Sequence, residues 1–264
     1  MTGLQITKPE EPLVSIMMNC YNGEKYLREA IESVLAQTFQ NWELIFWDNQ
    51  SIDQSAYIFK SYKDPRLKYF LAPEHTDLGG GRAKAFQHLT GEFIAILDTD
   101  DIWLPKKLEK QVPLFETPEI GIVICDTLFF NEKTEKALYG NKPPHTGSVF
   151  EKLMTNYFVS SETIVFRMST ALKLPRAFDH DFNFISDFDL VVRLSRISKM
   201  AFCPDVLAKW RVHGESHTWK YPLTFVEEKE RWIMKQVAED PSFSEIYKKQ
   251  ITIYNSTNYR ERAV

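Results

Sequence analysis

The chain has little cysteine and no long apolar run. Its 264 residues contain three cysteines, which are scattered as Cys20, Cys125 and Cys203. Proteins that rely on disulfides usually carry an even and denser set, so these residues indicate a reducing compartment. No apolar run reaches the roughly 20 residues that cross a bilayer, and the first residues lack the apolar core of a signal peptide. The sequence therefore predicts a soluble, cytoplasmic protein without a transmembrane segment.

Basic charge is also in short supply. Lysine and arginine together number 32 against 36 aspartates and glutamates, which gives a formal net charge of -4. Domains that bind nucleic acid carry a basic patch or stripe that pairs with phosphates. Nucleic acid is therefore not an expected partner.

Two nucleotide-binding fingerprints are missing. The run GGGRAK at residues 79–84 does not follow the first predicted strand and does not have the G-x-G-x-x-G spacing. It also lacks the Gly-Lys-Ser/Thr ending of a Walker loop. Three glycines at the start of a helix can still accommodate a phosphate, although a tight helix entry explains them equally well.

The sequence does contain a regular alternation of short apolar runs and amphipathic stretches. The apolar runs predict strands at residues 14–20, 43–47, 67–71, 93–97 and 120–125. Leu27, Ile31 and Val34 have the spacing of one helix face, which predicts a helix between the first two strands. This alternation is typical of a doubly wound α/β fold, a Rossmann-like, mostly parallel sheet flanked by helices. Amphipathic helices are predicted again at residues 224–237 and 242–254.

One stretch stands out for its chemistry, GEFIAILDTDDIWL at residues 91–104. Its predicted strand runs directly into Asp98, Asp100 and Asp101. Ligands of open α/β sheets bind at the carboxyl ends of the strands, and neighbouring carboxylates need a cation or donor groups to compensate them. Because Mg²⁺ and Mn²⁺ prefer oxygen ligands, the stretch indicates a divalent-metal site. The alternative is a polar turn in which Asp101 caps the following helix.

Polar residues also follow the two neighbouring strands. Tyr21 and Asn22 come after the first strand, and Asp48 comes after the second. In a doubly wound sheet these strand ends meet Asp98 and Asp100 in one crevice. An aromatic ring can stack on a base, a carboxylate can accept hydrogen bonds from a base or ribose, and a metal can neutralise phosphates. The joint placement predicts a nucleoside-diphosphate site, although packing alone would explain Tyr21 and a turn alone would explain Asp48.

Three segments resemble the family 2 glycosyltransferases of the GT-A fold. They are VSIMMNCYNGEKYLREAIESVLAQTF, WELIFWDNQSID and GEFIAILDTDDIWLPKKLEKQ. The similarity runs from about residue 14 to about residue 124 and resumes at about 178–216. It implies a nucleotide-sugar donor, in the first instance a UDP-sugar, with Mn²⁺ or Mg²⁺ as cofactor. It further implies sugar transfer to an acceptor hydroxyl with inversion at the anomeric carbon.

The resemblance also implies roles for single residues. Tyr21 matches the aromatic residue beside the base, Asp48 the acid that holds the nucleoside, and Arg82 an arginine that lines the nucleotide. Asp98 and Asp100 match the DxD motif, with Asp100 as the direct metal ligand. The predicted donor-binding residues are Tyr21, Asn22, Asp48, Arg82, Asp98, Arg211 and His213.

Arg211 and His213 belong to the segment KWRVH, which is similar to the Tyr-Arg-x-His segment of members that transfer a single sugar. The Q-x-x-R-W motif of processive enzymes is absent. The resemblance implies that Arg211 or His213 reaches the diphosphate or the metal, while a rim histidine without such a role is the alternative.

The catalytic base is expected in the second half, where ISDFDLVVRLS is similar to the family's Glu-Asp segment. Asp187 matches the base. In a purely structural interpretation, Ser186 caps a helix, and Asp187 and Asp189 are first-turn carboxylates favoured by the helix dipole. The two interpretations are compatible, because the same dipole keeps Asp187 ionised and able to accept a proton.

The chain departs from the family pattern at three positions. Asn19 replaces a common proline and Ala83 a common asparagine, and both changes are expected to affect donor choice. Ser186 replaces the glutamate that usually precedes the base, which is expected to change how Asp187 is oriented.

Two other functions share parts of this pattern. A nucleotidyltransferase that makes a nucleotide sugar has a similar sheet, but it needs a glycine-rich basic loop where this chain has YNGE at 21–24. A non-catalytic nucleotide-sugar-binding protein would keep the fold, but it would not be expected to retain Asp48, Asp98, Asp100 and Asp187.

We predict one GT-A domain over residues 1–215, with a donor half at about 14–125 and an acceptor and catalytic half at about 126–215. A C-terminal helical extension would cover residues 216–264. The expected acceptor is a glycan or a lipid-linked sugar in the assembly of a bacterial-type surface polysaccharide. The amphipathic tail would either pack on its own core or make peripheral contact with the inner face of a membrane.

Overall fold

A nine-stranded sheet forms the centre of the protein. The structure is a computed structural model that describes residues 12–216 and 220–262. The first four strands of the sheet are parallel and lie in the order β3-β2-β1-β4. They are β1 (Val14–Cys20), β2 (Trp42–Asp48), β3 (Leu67–Leu71) and β4 (Phe93–Ile96). The strands β1, β2 and β4 are therefore neighbours, as the sequence predicted, and their carboxyl ends meet at one edge of the sheet.

The second half of the chain extends the same sheet. Its strands are β5 (Ile102–Trp103), β6 (Ile120–Phe130), β7 (Glu135–Ala137), β8 (Val165–Arg167) and β9 (Lys199–Arg211). The strand β8 pairs antiparallel with β4 and β6, whereas β6 and β9 are parallel. The full order is β3-β2-β1-β4-β8-β6-β9-β5, and β7 forms an antiparallel hairpin with β6. The predicted Rossmann-like, mostly parallel sheet is confirmed.

Helices cover both faces of the sheet. In the first half they are α1 (Leu27–Leu35), α2 (Ser55–Ser61), α3 (Leu78–Phe86) and α4 (Lys107–Gln111). The second half adds α5 (Phe150–Thr155), α6 (Met168–Ala171), α7 (Ser186–Ile197), α8 (Pro222–Glu239), α9 (Phe243–Ile246) and α10 (Lys248–Arg262). Alternate residues of β1 enter opposite apolar clusters, Met17 on one face and Ile16 and Met18 on the other.

The C-terminal helices pack against the sheet domain. Trp232 of α8 is fully buried, and its ring centre lies 5.3 Å from that of Phe188 in α7. Tyr254 of α10 lies 6.2 Å from the same phenylalanine. One face of the extension therefore belongs to the core, while the domain boundary at residue 215 stays a prediction. Within the described ranges, no helix has the length and apolarity needed to span a membrane.

A buried lysine joins α4 to the second half of the sheet. Lys107 has no exposed surface, and its ammonium group donates a hydrogen bond to the Thr163 carbonyl oxygen at 3.1 Å. The side chain of Gln111 accepts from the same ammonium group and donates to the Val123 carbonyl oxygen at 3.1 Å. Burial lowers the pKa of Lys107, since it disfavours the charged form.

Candidate active site

The loop after β1 forms one wall of a crevice at the carboxyl ends of the strands. The Tyr21 side chain is 52% exposed, and its ring centre lies 4.2 Å from that of His75. Asn22 adopts a positive φ of 55°, and its Oδ1 accepts a hydrogen bond from the Ile52 N–H at 2.9 Å. Tyr21 therefore offers an accessible aromatic face, whereas the Asn22 side chain holds the neighbouring loop in place.

Asp48 lies at the end of β2, directly beside Cys20 in the parallel register with β1. Its side chain is almost completely buried. One oxygen accepts a hydrogen bond from the Ser51 N–H at 2.8 Å, and the other accepts from the Tyr69 hydroxyl at 2.6 Å. Burial and then the Asp48 carboxylate raise the pKa of Tyr69 above its ordinary value, which keeps this hydroxyl protonated as a donor. Asp48 is thereby fixed in one orientation at the crevice.

Arg82, in α3, connects the two halves of the site. Its buried guanidinium donates hydrogen bonds to both carboxylate oxygens of Asp98, at 2.8 and 3.2 Å, and to the Ser186 hydroxyl at 2.7 Å. Burial alone would lower the pKa of Arg82, but the carboxylates of Asp98 and Asp187 raise it above its usual value. The arginine is therefore a fixed positive charge between the end of β4 and the start of α7.

The end of β9 comes next to Asp100. His213 Nε2 lies 2.9 Å from Asp100 Oδ2, and Arg211 Nε donates to the Asp100 carbonyl oxygen at 2.9 Å. The Arg211 guanidinium also lies 4.3 Å from the Tyr26 ring centre and donates to Glu29 at 2.9 Å. The predicted neighbourhood of Arg211, His213 and the DxD motif is therefore present, and Tyr26 and Glu29 are additional members of it.

The third acid of the run has a different environment. Asp101 is 2% exposed, and its Oδ1 accepts a hydrogen bond from the Arg211 N–H at 3.0 Å. Burial, followed by the charge of Glu162, raises the pKa of Asp101 well above its ordinary value. The alternative in which Asp101 caps the next helix is wrong, because the N-cap of α4 is Lys106. Asp101 instead connects the acidic run to the end of β9 through its hydrogen bond with Arg211.

Asp98 and Asp100 are the acids of the run that reach the crevice. Their side chains are 31% and 34% exposed, and each faces a cationic or ionisable partner, Arg82 for Asp98 and His213 for Asp100. Two carboxylates and an imidazole are ligand types that Mn²⁺ accepts, and the carboxylates also suit Mg²⁺. These donor types at the end of β4 therefore suit a divalent cation, although, among the described residues, the ligand atoms of Asp98, Asp100 and His213 do not form a group within 4.8 Å of one another.

A second acidic cluster is a weaker candidate for a metal. Among the described residues, Asp179, His180 and Asp181 form the group of three whose ligand atoms lie within 4.8 Å of one another. Asp179 is already paired with Arg176 and Lys235 at 2.7 Å each, and Lys235 also contacts Asp181. Two positive charges therefore neutralise this cluster without a cation. Arg82 pairs with Asp98 in a similar way, so it is the position of Asp98 and Asp100 at the strand ends that favours them as metal ligands.

Asp187 lies in the first turn of α7, half-buried and close to Arg82. Its Oδ2 accepts a hydrogen bond from the Tyr157 hydroxyl at 3.1 Å. Burial raises the pKa of Asp187, and the nearby Asp98 adds to this, while Arg82 and the Tyr157 hydrogen bond act in the opposite direction. The net result is a carboxylate with a higher proton affinity than an exposed aspartate.

Ser186 does not cap α7, and that prediction is wrong. The N-cap is Ile185, and Ser186 is the first residue of the helix. Its hydroxyl accepts from Arg82 instead. Asp189 is buried and forms an ion pair with Arg193, which lies one helical turn later. It also accepts a hydrogen bond from the indole N–H of Trp232 at 2.9 Å. Asp187 is thus the first-turn carboxylate that remains partly exposed.

Sequence reasoning missed several residues of this site. Tyr157 lies two residues after the end of α5 and 30 residues before its partner Asp187, and no motif connects the two. Tyr69 could have been suspected, because it is a polar-tipped residue within β3, the neighbour of β2. Asn19 departs from the family pattern, and neither of its buried amide atoms has a hydrogen-bond partner among the described residues.

Solved glycosyltransferases have the same architecture. The mannosyltransferase PcManGT from Pyrobaculum calidifontis, in complex with GDP-Man and Mn²⁺, matches 97% of this chain and 74% of its own with a TM-score of 0.71 at 17% identity. S. aureus TarS 1-349 in complex with UDP matches 91% of this chain and 69% of its own with a TM-score of 0.70 at 17% identity. The fold is therefore the GT-A fold of glycosyltransferases, as predicted.

Sequence comparisons define the family. The sequence model of glycosyl transferase family 2 matches residues 15–174. An uncharacterized glycosyltransferase of Rickettsia typhi is 33% identical over 226 residues, which is 83% of this chain and 70% of that protein. The UDP-Glc:alpha-D-GlcNAc-diphosphoundecaprenol beta-1,3-glucosyltransferase WfgD of Escherichia coli is 27% identical over 235 residues, which is 88% of this chain and 89% of WfgD. The chain belongs to glycosyl transferase family 2.

Proposed function

We propose that the protein is an inverting, metal-dependent glycosyltransferase that moves a sugar from a UDP-sugar to an acceptor hydroxyl. The observation that carries the proposal is the convergence of Asp98 and Asp187 on the buried guanidinium of Arg82, with Asp100 two residues beyond Asp98 and paired with His213. Two acids at a strand end suit a cation and a diphosphate. A third acid, on a separate helix, is in place to act on the acceptor.

The donor would bind along the strand ends. The exposed ring of Tyr21 offers a stacking surface for the base, and Asp48 offers acceptor oxygens held in one orientation by Ser51 and Tyr69. Arg82 and Arg211 place positive charge near the diphosphate. The similarity to WfgD, whose name specifies UDP-Glc, supports a UDP-sugar, as do the TarS complexes with UDP and UDP-GlcNAc. PcManGT holds GDP-Man, so the base is part of what the experiment must decide.

Asp100 would hold the divalent cation directly, with Asp98 beside it and His213 within reach of the same position. When bound, Mn²⁺ or Mg²⁺ supplies positive charge that stabilises the departing nucleoside diphosphate. The protein contributes the orientation of these ligands. Arg82 fixes the Asp98 carboxylate through two hydrogen bonds, and Arg211 fixes the Asp100 backbone.

Asp187 would accept the proton from the acceptor hydroxyl as that oxygen attacks the anomeric carbon. Its pKa is raised chiefly by burial, which makes the carboxylate a stronger base than an exposed aspartate. The Tyr157 hydroxyl and the Phe188 N–H donate hydrogen bonds to this carboxylate, which orients the base. A single base opposite the leaving group corresponds to a single displacement, which inverts the anomeric configuration.

A lipid-linked sugar is the acceptor class that the relatives suggest. WfgD is named for transfer to α-D-GlcNAc-diphosphoundecaprenol, and its similarity to this chain covers most of both proteins. On this basis we assign the protein to the assembly of a surface polysaccharide. Such an acceptor would place the enzyme at the cytoplasmic face of a membrane during turnover.

The proposal is tested first by donor binding. UDP-Glc, UDP-GlcNAc and GDP-Man are compared by thermal shift with and without Mn²⁺, and the correct donor is expected to raise Tm only in the presence of the ion. Turnover is then measured with α-D-GlcNAc-diphosphoundecaprenol, and the anomeric coupling constant of the product is read by NMR. A β-linked product from an α-linked donor is expected. An α-linked product would contradict inversion, and pyrophosphate release from a nucleoside triphosphate would favour a nucleotidyltransferase.

A further inference from the structure

A carboxylate of the C-terminal extension binds the backbone that leads into α7. Glu228 of α8 is 3% exposed, and its Oε2 accepts hydrogen bonds from the N–H groups of Phe184 at 2.7 Å and Ile185 at 3.1 Å. Its Oε1 accepts from the Asn183 N–H at 3.1 Å and from Arg231 at 3.2 Å. Backbone N–H groups at a helix start have no partner within the helix, and a negative charge there is favoured by the helix dipole.

A second contact from α8 follows one turn later. Trp232 donates its indole N–H to Asp189 Oδ1 at 2.9 Å, and its ring packs at 5.3 Å from that of Phe188. Glu228 and Trp232 lie one helical turn apart on α8. Glu228 contacts residues 183–185 before Asp187, and Trp232 contacts Phe188 and Asp189 after it. The first turn of α7 is therefore held from both sides by one helix.

The same segment is also held against α3. Asn183 Oδ1 accepts a hydrogen bond from the Leu78 N–H at 2.8 Å, at the start of the helix that contains Arg82. A Cβ atom at Gly79 would lie 2.0 Å from the Phe182 carbonyl oxygen, so only glycine permits this approach. Residues 182–185 are thus held between α3 and α8. Their position determines where α7 begins, and therefore where Asp187 lies.

We propose that Glu228 is a positioning residue for Asp187, a role that rests on the proposed function of Asp187 as the base. Glu228 does not touch the reacting groups. It fixes the backbone from which Asp187 projects, and small displacements of a catalytic group are costly in rate. This role assigns part of the catalytic geometry to the extension, which lies beyond the residues that the family model matches.

The variant Glu228→Gln tests the structural part. The amide keeps the size of the side chain but directs an NH₂ group at backbone N–H donors. Glu227→Gln is the matched control, because Glu227 is exposed on the same helix and loses the same charge. By hydrogen exchange with mass spectrometry, the peptide over residues 183–190 is expected to exchange faster in Glu228→Gln than in the control. Equal exchange in the two variants would overturn the proposal, whatever the enzyme's substrates are.

Turnover tests the functional part, with UDP-Glc, Mn²⁺ and α-D-GlcNAc-diphosphoundecaprenol. We expect kcat of Glu228→Gln to fall by about 10- to 100-fold, as for misplacement of a catalytic group, while the Kd for UDP with Mn²⁺ stays that of the wild type. Glu227→Gln should match the wild type in both. An unchanged kcat, or a loss of UDP affinity in proportion to kcat, would overturn a positioning role.

A double-mutant cycle separates this proposal from the function it rests on. If Glu228 acts through Asp187, Glu228→Gln should lower the residual turnover of Asp187→Asn far less than it lowers that of the wild type. Fully additive losses would overturn the proposal. Undiminished turnover of Asp187→Asn alone would instead remove the base assignment. Should Glu228→Gln not fold, Trp232→Phe carries the same test, since it removes the N–H that binds Asp189 and keeps a smaller aromatic ring in the core.

Discussion

The two halves of the site are positioned in different ways. In the donor half, Asp48 ends β2 and Asp98 follows β4, the two parallel strands that flank β1, and the sheet brings both acids to the same edge. In the second half, Asp187 belongs to a helix outside the sheet, and side chains from three other parts of the chain hold it. Arg82 binds its neighbour Ser186, Tyr157 binds its carboxylate, and α8 binds the backbone before it and the Asp189 side chain after it. Backbone pairing fixes the first group, whereas individual side-chain contacts fix the second.

This difference corresponds to where the family pattern is found. The family match covers residues 15–174, which include the four parallel strands but neither Asp187 nor α8. A site built on strand ends needs few particular side chains outside the strands. A site built from side-chain contacts depends on partners that are far apart in the chain, and these can change together without altering the sheet.

The largest effect is expected from Asp187→Asn, which should separate turnover, assigned to the second half of the site, from donor binding, assigned to the first. Asp187→Asn keeps the shape of the side chain but removes the proton acceptor. We expect kcat to fall by about 10²–10⁴-fold, with the affinity for UDP and Mn²⁺ unchanged by calorimetry. Full turnover in this variant would contradict the role of Asp187, and a loss of UDP affinity would show that the two halves are not separable.

The opposite result is expected from the donor half. Asp100→Ala removes the proposed direct ligand, and we expect Mn²⁺-dependent binding of UDP to weaken by at least the roughly 10- to 100-fold that loss of an outer-shell partner costs. Asp181→Ala is the control, because it alters the competing acidic cluster at Asp179, His180 and Asp181. An unchanged metal titration in Asp100→Ala, together with a loss in Asp181→Ala, would move the metal site to that cluster.

Gly79→Ala probes the place where the halves touch. The added Cβ would meet the Phe182 carbonyl oxygen at 2.0 Å, and a backbone atom cannot rotate away. We expect a loss of about 1–3 kcal/mol in the free energy of unfolding, by analogy with overpacked interiors, measured by urea denaturation. In Gly214→Ala, the control, the new Cβ would have no atom within 4 Å. Equal stability of the two variants would mean that the loop at 182–185 is free to withdraw from α3.

The smallest expected effect concerns the pH dependence. Turnover needs ionised Asp187, so the raised pKa of this residue places the acid limb of the kcat profile above that of an exposed aspartate. The Tyr157 hydroxyl stabilises the ionised form, and Tyr157→Phe should therefore move the acid limb to higher pH. Activity is then lost at low pH and retained at high pH. Tyr139→Phe is the control, since its hydroxyl binds the Phe158 carbonyl oxygen. A shift to lower pH would contradict the assigned hydrogen bond.

The fold could be predicted from local patterns wherever those patterns were long enough. The bounds of β1 and β3 agree with the sequence prediction at residues 14–20 and 67–71. The strand β6 continues to Phe130, because its last residues pair with β7 and β9 instead of following an apolar run. Two residues form β5, which is too short for any periodicity.

The site was predictable to a similar extent. Residues that end parallel strands meet by topology, so Tyr21, Asp48 and Asp98 could be placed together before their contacts were known. The contacts of Glu228 could not be predicted from the sequence, since Glu228 lies 43 residues from Ile185 and its neighbours Glu227 and Glu230 have the same side chain. Only the packing of α8 determines which of these three glutamates is buried.

The buried ammonium group of Lys107 provides a reporter of unfolding that needs no substitution in the protein. Lys106, its neighbour, is exposed, whereas Lys107 is enclosed by Gln111 and the Thr163 carbonyl beneath the acidic run. An amine-acylating reagent should therefore modify Lys106 in the native protein and reach Lys107 only when the packing beneath the crevice opens. The ratio of the two products within a single peptide would measure how often that happens.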